Sequence, residues 1–84
     1  MKDNSLSFSL FKPGDLVQIK NDLIVSNHYG KEIFSIPMSK YCGKAFRIQY
    51  CKQVFVNNKF SHWIYSLHGI PSCMSWTYEM LKLI

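Results

Sequence analysis

The chain has 84 residues, 48% of them hydrophobic and 15% aromatic, with 18% charged and a net charge of +5. That length allows one domain without a second core, and the apolar share excludes a disordered chain. Apolar runs reach only three or four residues against the roughly 20 of a membrane span, and Ser5, Ser7 and Ser9 break up any leader-like block, so a cytoplasmic location is expected, in whatever host cell makes the protein.

Residues 1–11 read as an N-terminal tail or an extra strand, because Leu6, Phe8 and Leu10 alternate with serines. Lys12-Pro13-Gly14-Asp15 is a turn: proline sets φ and glycine permits the reversal. Leu16 to Lys20 follows as a strand with Val17 and Ile19 on its core face. The stretch from Asn21 to Tyr41 is irregular, with a turn at Asn27-His28-Tyr29-Gly30. Pro37 opens a single helical turn that carries Met38 and Tyr41. A loop of that length in a compact domain is usually functional or partly disordered, which makes it a candidate for specificity and leaves its order open.

Strands resume at Gly43, where Phe46, Ile48 and Tyr50 alternate with Arg47 and Gln49. Val54–Val56 and Trp63–Leu67 flank Asn57-Asn58-Lys59, and asparagines tolerate the positive φ of a tight hairpin. Gly69 and Pro71 interrupt the chain, Thr77–Leu81 forms a short helical turn, and Lys82–Ile84 closes as a strand. Short strands separated by turn signals, with no long helix, predict an all-β domain, a small five-stranded barrel over residues 12–84.

The ordered landmarks Pro13-Gly14-Asp15-x-Val17-x-Ile19-x-x-Asp22-Leu23, Tyr29-Gly30, Met38, Gly43-Lys44 with Ile48, Tyr65-x-Leu67 and Trp76-Thr77-x-Glu79-Met80-Leu81 span residues 12–84. In that order they resemble the small SH3-like barrel proteins, related to the Mind-bomb SH3 repeat, of Gram-positive phages and prophages. The resemblance implies an SH3-like barrel and a binding role, with no catalytic residues. By analogy with small phage proteins that block host defence enzymes, it also implies an anti-defence role, such as inhibition of a CRISPR effector. The chain departs from the family in its basic-only middle and its longer apolar tail before Lys12, so no common partner is carried over.

No set of residues marks an enzyme or a cofactor site. His62, His68 and Cys73 lack the spacing of a metal-ligand pair, and no metal is expected. Cys42, Cys51 and Cys73 are odd in number and widely spaced, which favours reduced thiols over a disulfide framework, and none sits in a nucleophile motif. The four glycines are scattered and make no phosphate loop.

Charge carries the remaining signal. Between Glu32 and Glu79 there is no acidic residue, while Lys40, Lys44, Arg47, Lys52 and Lys59 fall within that interval. Arg47, out of phase with Phe46 and Ile48, should face solvent, and Trp63, Tyr50 or Phe60 would lie near for stacking. Lys40, Lys44, Arg47, Lys52, Lys59 and Trp63 are therefore the candidate partner-binding residues. An exposed-aromatic groove for a proline-rich or methyl-lysine peptide would need framing acids, which this stretch lacks. The expected partner is a host protein or nucleoprotein that the barrel occludes; the alternative is a nucleic acid held at its phosphates by the basic strip. Oligomeric state is left open.

Overall fold

The computed structural model describes residues 9–84, so most of the proposed tail lies outside the described residues. Six strands form, against the five expected: β1 (Leu16–Ile19), β2 (His28–Tyr29), β3 (Glu32–Ile33), β4 (Ala45–Val56), β5 (Lys59–Leu67) and β6 (Leu81–Leu83). A helical turn, α1 (Ile36–Ser39), and a 3-10 turn (Tyr78–Met80) complete the domain. The main sheet is antiparallel, in the order β5-β4-β1-β6, and it curls strongly into a half-barrel; β2 and β3 pair separately. No helix among the described residues is long and apolar enough to cross a membrane.

Local chemistry accounts for most of these elements. Val17 and Ile19 are fully buried while Leu16 and Gln18 are not, the alternation of a strand with one face on the core. Asn57 and Asn58 both adopt positive φ, at 54° and 64°, in the two-residue turn that pairs Val56 with Lys59. Pro37 lies in the first turn of α1, and Met38 from the same turn is buried. Half of the irregular stretch is thus shaped by a hairpin and a helical turn. The turn expected at Asn27–Gly30 sits slightly later, because Tyr29 pairs with Glu32 across Gly30 and Lys31.

β4 departs most from expectation. A short strand at Phe46–Tyr50 and a separate one at Val54–Val56 were anticipated, yet the backbone runs as one strand of 12 residues. Its register against β5 shifts between Ile48 and Tyr50, so Gln49 is an extra residue, a β-bulge. Ser66 Oγ donates to Gln49 Oε1 at 3.2 Å across this point. The bulge inverts the face of everything after it. Tyr50, in phase with Ile48 by simple alternation, is consequently exposed rather than in the core.

The core gathers Phe11, Val17, Ile19, Phe34, Met38, Ile48, Tyr65, Leu67, Ile70, Trp76, Met80 and Leu81. Trp76 lies at its centre with no exposed surface, and its backbone exchanges two hydrogen bonds with Tyr65. The ring contacts Phe34 and Tyr41 in edge-on geometry. Phe11, which the sequence assigns to the tail, is buried against Tyr65 with ring centroids 5.2 Å apart. The indole N–H groups of Trp63 and Trp76 are buried with no acceptor among the described residues, a cost of about 1–3 kcal/mol each that burial of the rings must offset.

Candidate functional site

The outer face of the sheet is the first candidate. Register places Arg47 opposite Leu16, and Gln18 between Ala45 and Lys82, all on the side away from Val17 and Ile19. Beyond the bulge the same side continues through Tyr50, opposite Ser66, and Lys52, opposite Ile64. Arg47 and Lys52 are five positions apart, an odd interval that would place them on opposite faces of a regular strand. The extra residue at Gln49 brings them to one face, with exposed Tyr50 between them. Period two along β4 carries this face on to Val56, which Lys59 opposes after a second register shift between Val54 and Phe55. None of the four strands of this sheet contains Asp or Glu. Arg47 is steadied by a hydrogen bond from Nη1 to the Gly14 carbonyl, 3.0 Å, which leaves its other donors free to meet a partner.

The remaining sequence-selected residues separate from this strip. Lys44 is exposed just before β4, in the phase of Phe46 and not of Arg47. Lys40 follows α1, where its ammonium lies over the Tyr41 ring at 5.3 Å from the centroid. Trp63 opposes Gln53, on the same side as the Cys51–Tyr65 pair, and packs against the core. The strip therefore consists of Arg47, Lys52 and Lys59. Lys82 joins it from β6 although its position in the chain gave no hint of this, and Tyr50 is its aromatic.

Trp63 belongs instead to a second site. An open cleft of about 460 Å³ lies between the β2–β3 turn, β5, the 3-10 turn and the N-terminal segment, lined by Gly30, Lys31, His62, Trp63, Tyr78, Glu79 and their neighbours. Tyr78 is half-exposed there and stacks obliquely on Phe11 at 5.2 Å. His62 Nε2 meets Glu32 Oε2 at 2.8 Å, and its Nδ1 meets Ser61 Oγ at 2.8 Å, tying β5 to β3. Thr77 Oγ1 donates to the Tyr29 carbonyl at 2.9 Å, tying the other wall to the same hairpin. At Gly30, φ is 67°, which favours glycine in the turn, and the flexible end of the Glu79 side chain lies close to where a Cβ would stand. Glu79 lines this cleft beside Lys31, while Glu32 is paired with His62.

Cys42, Cys51 and Cys73 are all free. Burial pushes the Cys42 thiol up, helped by the Asp22 charge. Burial also pushes Cys51 up, with Asp15 adding to the shift and a hydrogen bond involving Ser9 opposing it. Both shifts run opposite to that of an activated thiolate. Among the described residues His62, His68 and Cys73 do not come together, and no group of three or more His, Cys, Asp or Glu side chains is arranged to hold a metal ion.

Comparison with known proteins places no relative beside this geometry: no family model matches the chain, and neither the curated proteins nor the solved structures yielded a match.

Proposed function

We propose that this chain is a non-catalytic SH3-like barrel that binds a macromolecular partner through the outer face of its sheet and acts by covering a site the partner needs. The observation that carries the reading is the acid-free sheet on which the Gln49 bulge aligns Arg47, Tyr50 and Lys52. A face of one charge sign with an aromatic at its centre suits an acidic partner surface. The barrel assignment draws support from the topology. β1 lies between β4 and β6, the long bent β4 joins both halves of the sheet, and a 3-10 turn precedes the last strand. The single Tyr65–Trp76 bridge stands where a fifth strand would run. The resemblance to phage barrels makes a host protein or nucleoprotein the first partner to test, with anti-defence activity as its consequence.

A second reading, binding of nucleic acid, is favoured by Tyr50 specifically. It is 42% exposed between two cations, an arrangement in which a base could stack while phosphates meet Arg47 and Lys52. Capture from a host lysate with and without nuclease, using the parent and an Arg47→Glu/Lys52→Glu variant, separates the readings. A discrete protein retained after nuclease by the parent and lost by the variant supports occlusion of a protein. Mixed nucleic acid lost on nuclease treatment supports the second reading. Equal capture by parent and variant contradicts both.

A further inference from the structure

We infer that the outer face of the sheet is a site for an unpaired strand of nucleic acid, met at its phosphates by Arg47, Lys52 and Lys59 and at one base by Tyr50. The inference rests on the nucleic-acid reading of that face and narrows it to single strands. The residue opposite Tyr50 is Ser66, too small to cover the ring, and Ser66 Oγ is turned to Gln49 Oε1 at the bulge. Tyr50 therefore stays exposed. A base inside a duplex has both faces covered by its neighbours and cannot use such a ring, whereas an unpaired base can. The cations are placed for a strand as well. The row from Arg47 to Val56, which Lys59 opposes, runs about 30 Å along β4, a length suited to the roughly 4–16 nucleotides that a small barrel takes. None of the four strands contains Asp or Glu. Asp15, just ahead of β1, is engaged by Lys12, whose backbone N–H donates to it at 3.0 Å and whose ammonium lies at 3.7 Å. No carboxylate on the strands thus repels a phosphate, and charge complementarity selects a polyanion here.

The test uses the full chain and three fluorescein-labelled probes read by anisotropy: decathymidylate, decauridylate and a blunt DNA duplex of about ten base pairs. At about 50 mM salt a single strand should bind with a dissociation constant of about 100 µM or below, and the duplex at least about twofold more weakly despite its greater charge. Binding of either single strand supports the inference, and the ratio of the two tells DNA from RNA. Tyr50→Ala should weaken the single strand about tenfold and leave the duplex within about twofold, whereas Tyr50→Phe, which keeps the ring, should bind like the parent. Thermal midpoints of both variants should match the parent, because Tyr50 lies outside the core. Three phosphate contacts predict that log K falls with log salt at a slope of about −2, and Lys59→Ala should bring the slope to about −1.4. Equal affinity of parent and Tyr50→Ala for the single strand would overturn the inference. Duplex bound as tightly as single strand would overturn it too, while leaving the nucleic-acid reading of the face in place. Failure of all three probes to bind saturably below about 1 mM would overturn both, and would leave an acidic protein surface as the occupant.

Discussion

The outer face of the sheet and the cleft at its end are built in opposite ways. The face is drawn from strands, has one sign of charge, and owes the alignment of Arg47 with Lys52 to one inserted residue, Gln49. The cleft is drawn from a hairpin turn, a strand, a 3-10 turn and the N-terminal segment, has both signs, and is tied together by side-chain hydrogen bonds at His62 and Thr77. A strand face presents a long, regular row that suits an extended charged surface. A loop-walled cleft presents a concave spot that suits one or two side chains. One small domain thus offers two surfaces of different charge, and each can be altered while the other is kept.

The core beneath both is where the two cannot be separated. Trp76→Ala should cost about 3–5 kcal/mol and abolish both surfaces, read as loss of cooperative thermal unfolding or a large fall in its midpoint. If the variant melts like the parent, Trp76 is not the centre that its burial indicates.

Alkaline pH should loosen the cleft side first. Burial pushes the Tyr65 hydroxyl up, against hydrogen bonds involving Ser9 and the Phe11 backbone that lower it, and Cys51 opposite Tyr65 is pushed up as well. A folded state that holds these protons more tightly than the unfolded chain has its full stability below the ordinary thiol and phenol values. That stability is lost as pH rises past about 9 toward the folded-state values. Thermal midpoints measured from neutral to strongly alkaline pH should fall over that range, and Cys51→Ala should make the fall shallower. A flat profile would remove the buried thiol and phenol from the account.

A smaller effect is expected at the β4–β5 turn. Asn58→Ala places a residue with a Cβ and no amide at φ of 64° and should cost about 1 kcal/mol, whereas Asn58→Gly should be neutral or slightly stabilising. Denaturant midpoints compare the two. Equal costs would mean that the positive φ is not what asparagine serves there.

How much of this was legible in the sequence follows from the same contrast. The alternation of Val17 and Ile19, the Asn57-Asn58 turn and the Pro37 helical turn are local signals, and each lies where its chemistry predicts. The basic strip was half legible. Arg47 faces outward as its phase requires, but a bulge has no sequence mark when the extra residue is an ordinary glutamine. Simple alternation therefore set Tyr50 in phase with Phe46 and Ile48, although it was also a stacking candidate, and Lys44 was grouped with Arg47 by nearness in sequence alone. The cleft was not legible at all. It depends on Glu32 pairing with His62 and on Glu79 approaching Gly30, and nothing in the spacing of these isolated residues encodes either contact. That glycine, already singled out as part of a turn, was the only trace.

The smallest structural change should have the largest functional one. Arg47→Glu/Lys52→Glu alters two exposed side chains and should leave stability within about 0.5 kcal/mol of the parent. The affinity of the captured partner for the parent and for this variant, measured side by side at physiological salt, tests the central claim most directly. The account predicts a loss of at least about tenfold, since two attractions become repulsions across one interface. Equal affinity for a partner bound by both folded proteins would contradict it.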